Sequence, residues 1–153
     1  MPFWKLYYHI VWATAGRQPM ISSDIEQLVF KAIKDKVYAL GGTVSEINGT
    51  MDHVHVAGCI PPSISISKFV GEIKGSSSFH INHLPDNPQP IDWQKGFGVV
   101  SFRKDNLEQV VAYIRNQKEH HASGKIWSSL EDCGDDEVIK PDCVREEGAD
   151  PYS

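Results

Sequence analysis

The pattern of apolar and polar residues predicts strands along four segments of the chain and helices along three others. Residues 3–14 are rich in aromatic and β-branched residues, residues 43–48 and 53–60 alternate between apolar and polar positions, and residues 97–102 are mostly apolar, so each of these segments is predicted to be a strand. Apolar residues three and four apart predict helices over residues 23–40, 63–84 and 105–121. The first helix is expected to begin with a capping box of Ser23 and Glu26, and the last with one of Asp105 and Glu108.

The order of these elements predicts the fold. Strand, helix, strand, strand, helix, strand, helix is typical of a ferredoxin-like (RRM-like) α+β fold, an antiparallel sheet with helices on one face. Residues 85–94 contain three prolines and are expected to form a loop. Apolar periodicity fades beyond Ser128, so residues 1–130 are predicted to form one domain and residues 131–153 a mobile tail.

Length and composition place the chain among ordinary globular proteins. Its 153 residues suit a single domain, and its 41% hydrophobic and 23% charged residues are typical of a soluble one. No apolar run approaches the roughly 20 residues that span a bilayer, and the N-terminus lacks a signal-peptide pattern. The three cysteines are too few and too scattered for a disulfide framework. We therefore expect a cytoplasmic protein.

The net charge of −5 is unevenly distributed. Residues 131–153 hold nine of the 20 acidic residues and two of the 15 basic ones, which leaves 11 acidic and 13 basic residues in 1–130. That segment also holds all seven histidines. The excess of acidic residues thus lies in the tail. The charge of residues 1–130 is compatible with a nucleic-acid partner but does not by itself indicate one.

His53 and His55 are the first candidate for chemistry. Side chains two residues apart on a strand point to the same face, so both imidazoles can bind one metal ion while Val54 points away. Asp52 could orient one of these ligands from outside the first shell. A His-x-His pattern is weak evidence by itself, and two polar residues on a solvated sheet face would explain it equally well.

The last predicted helix supplies the second candidate. Tyr113 and Gln117 are four residues apart and therefore adjacent on one flank of the helix, which His120 continues. A partly buried tyrosine bonded to a glutamine is the ordinary explanation of such a pair. Two imidazoles and one amide oxygen would, however, suit Mg²⁺ or Mn²⁺ with positions open for substrate oxygens. A structural zinc site would need four ligands, usually with cysteine, and no cysteine pair here has that spacing.

Five blocks spread over residues 1–121 resemble one family. They are YYHIVWAT, MDHVHV, FVGEIKGSSSFHIN, WQKGFGVVSF and YIRNQKEHH, and together they resemble the single-tyrosine HUH transposases of the insertion sequence 200/605 type. The resemblance implies a His53/His55 metal pair on a central strand, Tyr113 as nucleophile on a C-terminal helix, and Gln117 as third metal ligand. It does not extend to the acidic tail.

The resemblance also implies an activity and partners. Tyr113 would cleave and rejoin single-stranded DNA through a 5′-phosphotyrosine link, with recognition of hairpins. The protein would be a nucleoid-associated homodimer, in which the tyrosine of one subunit completes the His pair of the other. Candidate contacts to the DNA backbone are Arg17, Lys68, Lys74, Lys95, Arg103 and Arg115, although each could be an ordinary surface charge. Trp12, Trp93 and Phe97 could stack on bases, but core packing is expected for at least two of them.

Two other functions fit the same residues. A domesticated relative could bind nucleic acid on this fold without chemistry, but the His, Tyr and Gln set would then have no use. A metal-dependent endonuclease could instead attack with water and leave Tyr113 as a bystander. A covalent adduct between protein and DNA would separate the transferase from both.

Overall fold

The computed structural model describes residues 3–87, 89–124 and 131–133. Up to Ser123, the described residues form four strands and four α-helices in the order that the sequence predicts, with the last predicted helix divided in two. They are β1 (Tyr7–Ala13), α1 (Glu26–Ala39), β2 (Thr43–Gly49), β3 (His53–Cys59), α2 (Ile66–Asn82), β4 (Gly98–Phe102), α3 (Leu107–Arg115) and α4 (Gln117–Ser123).

The four strands form one antiparallel sheet in the order β2-β3-β1-β4. β3 and β1 are therefore the central strands, and their register pairs His55 with Val11 and His53 with Ala13. This arrangement confirms the predicted ferredoxin-like α+β fold, and it places the His53-x-His55 motif in the middle of the sheet.

The two faces of the sheet are covered by different helices. Alternate side chains of β1 and β3, such as Trp12 and Val54, pack with α1 and α2 in the main hydrophobic core. The intervening side chain Ala57 packs on the opposite face with Val110 and Ile114 of α3. The prediction of helices on one face is therefore wrong for α3, because its apolar stripe packs on the face that the histidines share.

Both predicted capping boxes are wrong. α1 begins at Glu26 with Ile25 at the N-cap, because the carbonyl of Ser22 accepts the backbone N–H groups of both residues and makes the preceding turn. A 3-10 turn over Lys104–Asn106 precedes α3, so Asp105 lies within that turn and Asn106 takes the N-cap position.

The last predicted helix is not continuous. At Asn116 the backbone has φ −95° and ψ 22°, outside the α-helical region, so α3 ends at Arg115 and α4 begins at Gln117. Tyr113 and Gln117 thus belong to different helices.

Residues 131–133, which the sequence analysis assigned to the mobile tail, lie against the sheet. Cys133 is buried against Val11 and Ala13 of β1. A side chain at Gly98 of β4 would collide with the carbonyl oxygen of Asp132, so the segment lies in close contact with β4. Residues 134–153 are outside the described structure, and the predicted domain boundary at Leu130 stays a prediction.

Candidate metal and tyrosine site

The strand alternation of β3 aims His53 and His55 at the α3 side of the sheet, where both are fully buried. Their rings meet edge to face with centroids 5.0 Å apart. The alternation of β3 therefore brings the two imidazoles together on one face of the sheet, as the sequence predicts.

His53 is oriented through its second nitrogen. Nδ1 lies 2.7 Å from Oδ1 of Asp52 and 2.8 Å from the hydroxyl of Thr50, which also donates to Asp52. Asp52 therefore lies where the sequence analysis expected an orienting group. Burial would raise the pKa of the Asp52 carboxyl, but the hydrogen bonds from His53 and Thr50 and the nearby Arg17 lower it overall. With Nδ1 held by a carboxylate, Nε2 of His53 points into the site.

His55 is oriented by a residue that the sequence analysis did not select. Its Nδ1 lies 2.8 Å from Nε2 of His9, a buried residue of β1 whose ring stacks on that of His55. Nε2 of His55 makes no hydrogen bond within the described residues. Strand alternation in β1 could have indicated His9, because it shares the parity of Val11, the register partner of His55.

Tyr113 and Gln117 approach the His pair from α3 and α4. The Tyr113 ring lies edge to face with that of His55, with centroids 6.2 Å apart, and Oε1 of Gln117 lies 3.2 Å from Nε2 of His53. Tyr113 is 2% exposed and Gln117 is fully buried. The His pair, the tyrosine and the glutamine thus come together within one chain, although a helix break separates the last two.

Glu131 is the central residue of the site, and the sequence analysis did not select it. Its Oε1 accepts hydrogen bonds from the hydroxyl of Tyr113 at 2.6 Å and from Nε2 of Gln117 at 3.1 Å. Its Oε2 lies 3.4, 3.3 and 3.2 Å from the Nε2 atoms of three histidines, which are His53, His55 and His121. No local pattern in the sequence points to this carboxylate.

His121 was also missed, although a signal existed. It follows Gln117 by four residues in α4, so the two share a helix flank, and its ring centroid lies 4.7 Å from that of His53. The sequence analysis selected the neighbouring His120 on the assumption of a continuous helix. The side chain of His120 lies outside the described structure.

The electrostatics of the site follow from these contacts. Burial would raise the pKa of Glu131, but the neighbouring imidazoles of His53 and His55 hold that pKa well below its usual value. Burial lowers the pKa of His53, but Glu131 and Asp52 outweigh it and raise that pKa overall. For His55 burial prevails and lowers the pKa, as it does more strongly for His9. The site therefore combines a charged carboxylate with imidazoles of different basicity.

The side chains present fit a divalent metal ion. One ligand atom from each of His53, His55, His121 and Glu131 lies within 4.8 Å of all the others. Because a carboxylate holds Nδ1 of His53, its Nε2 can offer a lone pair toward the Gln117 oxygen, and a cation between them would be bound by both. Nε2 of His55, buried without a hydrogen bond among the described residues, is available as a further nitrogen donor to such an ion.

One of the predicted DNA contacts is contradicted by the structure. The Lys74 side chain is buried, and its ammonium group donates to the carbonyl oxygens of Gln94, Lys95 and Gly96 at 2.5, 3.3 and 2.9 Å. It therefore holds the loop before β4 and is not available to a phosphate.

The other predicted DNA contacts are accessible to different degrees. Lys68 and Lys95 are exposed. The guanidinium groups of Arg17, Arg103 and Arg115 form ion pairs with Asp52, Asp105 and Glu46 at 3.6, 3.2 and 3.1 Å. Their role in DNA binding stays a prediction.

The two tryptophans are part of the core. Trp12 and Trp93 are both buried, and their rings pack edge to face with centroids 5.8 Å apart. The expectation of core packing is confirmed for both.

Among the described residues, the helices are all too short or too polar to cross a membrane.

The chain is similar in sequence to known transposases. A family model described as "Transposase IS200 like" matches residues 2–117. The transposase for insertion sequence element IS200 of Salmonella typhimurium is 27% identical over 130 residues, which cover 82% of this chain and 85% of that protein. The corresponding transposase of Salmonella typhi matches to the same extent.

Two solved structures are similar in fold. The first is a Deinococcus radiodurans protein classed as a transposase, with a TM-score of 0.57 and 24% identity, covering 76% of this chain and 93% of that one. The second is a REP-associated tyrosine transposase bound to a REP hairpin, with a TM-score of 0.58 and 18% identity, covering 82% of this chain and 76% of that one.

Proposed function

The chain belongs to the IS200-like transposase family, and on that premise we propose that it cleaves and rejoins single-stranded DNA with Tyr113 as the nucleophile. The observation that carries this proposal is the convergence of the Tyr113 hydroxyl, the Gln117 amide and the His53 and His55 Nε2 atoms around one carboxylate. A phosphodiester in that position would meet a nucleophile and a set of metal ligands together.

The chemistry is a transesterification at phosphorus. The Tyr113 oxygen forms a bond to phosphorus and the bond from phosphorus to the 3′-oxygen breaks, which leaves a 5′-phosphotyrosine and a free 3′-hydroxyl. The phenol proton ends, in the overall balance, on that 3′-oxygen. Because the phosphodiester energy is kept in the tyrosine link, a second 3′-hydroxyl can attack it, restore the DNA strand and release Tyr113.

The side chains around Tyr113 divide the remaining tasks. His53, His55 and Gln117 would hold Mg²⁺ or Mn²⁺, which would supply electrophilic assistance at a non-bridging phosphate oxygen. Asp52 and His9 orient the imidazoles of His53 and His55 through contacts to their Nδ1 atoms, at 2.7 and 2.8 Å respectively. Burial of the site strengthens each of these electrostatic interactions.

Single-stranded DNA with hairpins is the proposed substrate. A structural relative is a tyrosine transposase bound to a REP hairpin, which supports a hairpin ligand for this fold. Exposed basic residues such as Lys68, Lys95 and Arg115 are the proposed contacts to the DNA backbone.

A homodimer is a further part of the proposal, but the exchange of Tyr113 between subunits is not. Tyr113 lies 6.2 Å from His55 of the same chain, measured between ring centroids, and both contact Glu131 of that chain. These contacts within one chain support the proposal that the tyrosine acts in cis.

The test is detection of the covalent link. Wild-type protein incubated with end-labelled hairpin DNA and Mn²⁺ is expected to yield a protein band that keeps its label in denaturing electrophoresis. Tyr113→Phe should not form this band, and its cleavage should fall at least about 10³-fold because the nucleophile is gone. Tyr38→Phe is the matched control, since Tyr38 is exposed on α1. Cleavage without any labelled band would indicate attack by water instead.

A further inference from the structure

The Glu131 carboxylate occupies the point at which the proposed catalytic groups converge. We propose that Glu131, His53, His55 and His121 form a closed four-ligand site for Zn²⁺, distinct from the open Mg²⁺ or Mn²⁺ arrangement of His53, His55 and Gln117. This inference rests on the proposed function in so far as the His pair serves both ions. The carboxylate comes from the C-terminal segment 131–133, so Zn²⁺ would lock that segment over the site.

The distances fit a tetrahedral ion. Ligand atoms bound at about 2.1 Å to a tetrahedral centre lie roughly 3.4 Å apart, whereas adjacent ligands of an octahedral Mg²⁺ lie about 3.0 Å apart. Oε2 of Glu131 lies 3.2, 3.3 and 3.4 Å from the three histidine nitrogens. The carboxylate oxygen therefore already lies at nearly the tetrahedral separation from each of the three imidazole nitrogens. The four ligand atoms together lie within 4.8 Å of one another, so the imidazoles need only draw slightly closer around the ion.

The ligand chemistry also favours zinc. Three imidazole nitrogens and one carboxylate oxygen are donors that Zn²⁺ accepts with four-coordination, whereas Mg²⁺ prefers oxygen donors and retains water. The sequence indicated no zinc site because cysteines with a suitable spacing are absent from it. His121 and Glu131 supply the missing ligands, and only the packing of α4 and segment 131–133 brings them to the His pair.

The segment that carries Glu131 is fixed by its own contacts. The carbonyl of Cys133 accepts a hydrogen bond from Gln94 at 3.1 Å, and the Cys133 thiol packs on β1 and lies 3.6 Å from the Arg17 guanidinium. The Asp132 backbone lies directly over Gly98, where any side chain would collide with it. A glycine at this position of β4 is thus what allows Glu131 to reach the histidines.

The closed arrangement excludes the substrate. Tyr113 is 2% exposed and its hydroxyl is bonded to Glu131, as is the Gln117 amide. A phosphodiester can reach the Tyr113 hydroxyl only after Glu131 has moved away, because the phosphate oxygens and the Glu131 carboxylate would occupy the same position. Zn²⁺ bound through Glu131 and a DNA phosphate therefore exclude each other.

The test is metal binding by the full-length protein, measured by competition with a chromogenic chelator. Glu131→Gln and His121→Asn should each weaken Zn²⁺ affinity at least tenfold and Mn²⁺ affinity less than threefold, because Mn²⁺ keeps His53, His55 and Gln117. Glu119→Gln is the matched control, since Glu119 is an exposed acid of α4, and it should bind Zn²⁺ like the wild type. Co²⁺ bound to the wild type should give the intense visible absorption of a four-coordinate ion, which Glu131→Gln should lose.

Gly98→Ala tests the same idea without changing a ligand. Its methyl group would displace the Asp132 backbone, so Zn²⁺ affinity should again fall at least tenfold while all four ligand residues remain. Unchanged Zn²⁺ affinity in folded Glu131→Gln and Gly98→Ala, or a weak six-coordinate Co²⁺ spectrum in the wild type, would overturn the closed site. The tyrosine adduct would then still form if the proposed function holds, so failure of one is distinguishable from failure of the other.

Discussion

The two faces of β3 differ in chemistry although they are built from alternating residues of one strand. Val54 and Val56 point into an apolar core with α1 and α2. His53 and His55 point the other way and are as deeply buried, but among polar partners. Burial of apolar side chains stabilises the fold directly, whereas burial of imidazoles costs free energy that their hydrogen bonds and the Glu131 charge must offset. The apolar face of β3 therefore stabilises the fold, and the histidine face carries the candidate site on the same rigid strand.

The difference extends to how each face is closed. The apolar face is covered by two long helices, α1 of 14 residues and α2 of 17. The histidine face is covered by the shorter α3 and α4, of nine and seven residues, and by segment 131–133. Short elements with few apolar contacts open at lower cost, so we expect substrate access from this side.

The largest expected effect concerns whether the histidine face is complete in one chain. Tyr113→Phe and the His53→Ala/His55→Ala double variant should each lose at least about 10³-fold in cleavage. Co-expressed with different tags and purified as a mixed dimer, they should stay inactive, because neither chain holds both the tyrosine and the His pair. Cleavage by the mixed species would show that the tyrosine is exchanged between subunits. Binding of hairpin DNA by each preparation serves as the control for folding.

The apolar face should respond in stability instead. Phe69 of α2 is fully buried in the main core, and Phe69→Ala should lower the free energy of unfolding by about 3–5 kcal/mol through lost burial and a cavity. The folded fraction should bind Mn²⁺ with wild-type affinity, since the substitution lies across the sheet from the site. Urea unfolding and metal titration measure the two quantities separately. A loss of Mn²⁺ affinity equal to that of the His variants would mean that the faces are not independent.

A smaller effect is expected from pH. Burial, followed by the charge of His55, lowers the pKa of His9 well below 6.5 in the folded state. Below pH 6.5 the unfolded chain therefore binds more protons, and stability falls as pH falls, by up to about 1.4 kcal/mol per pH unit for this group. His53, whose pKa is raised, opposes the trend. His9→Gln should flatten the decline between pH 7 and 5 in urea unfolding with chelator present, and an unchanged slope would assign the effect to another group.

The smallest effects on hairpin affinity are expected from two basic residues, the exposed Arg115 and the buried Lys74. Arg115→Gln removes an exposed guanidinium at the end of α3 and should weaken hairpin binding less than about tenfold. The slope of log affinity against log salt concentration should become shallower by about one. Lys74→Gln should leave hairpin affinity unchanged but lower the melting temperature, because three carbonyl groups lose their shared donor. Fluorescence anisotropy at several salt concentrations and thermal melts give the two readouts. A large loss of hairpin affinity in Lys74→Gln would contradict its structural role.

The sequence alone determined the elements with strong periodicity. Alternation in β3 was enough to predict that His53 and His55 share a face, and the order of elements was enough to predict the ferredoxin-like fold. These predictions succeed because side-chain direction in a strand depends only on the local backbone. The prediction of a continuous helix over residues 105–121 and the two capping predictions were wrong, because single turns at helix ends depend on competing local hydrogen bonds.

Tertiary structure alone decided the composition of the site. Glu131 follows Gln117 by 14 residues and His53 by 78, and no periodicity relates them. His9 reaches His55 because β1 pairs with β3. Lys74 points inward because three carbonyl groups of the loop before β4 accept hydrogen bonds from its ammonium group. Local patterns fix the direction in which a side chain leaves its own element. Which side chains then meet depends on how distant elements pack, and that is settled only by the burial of the whole chain.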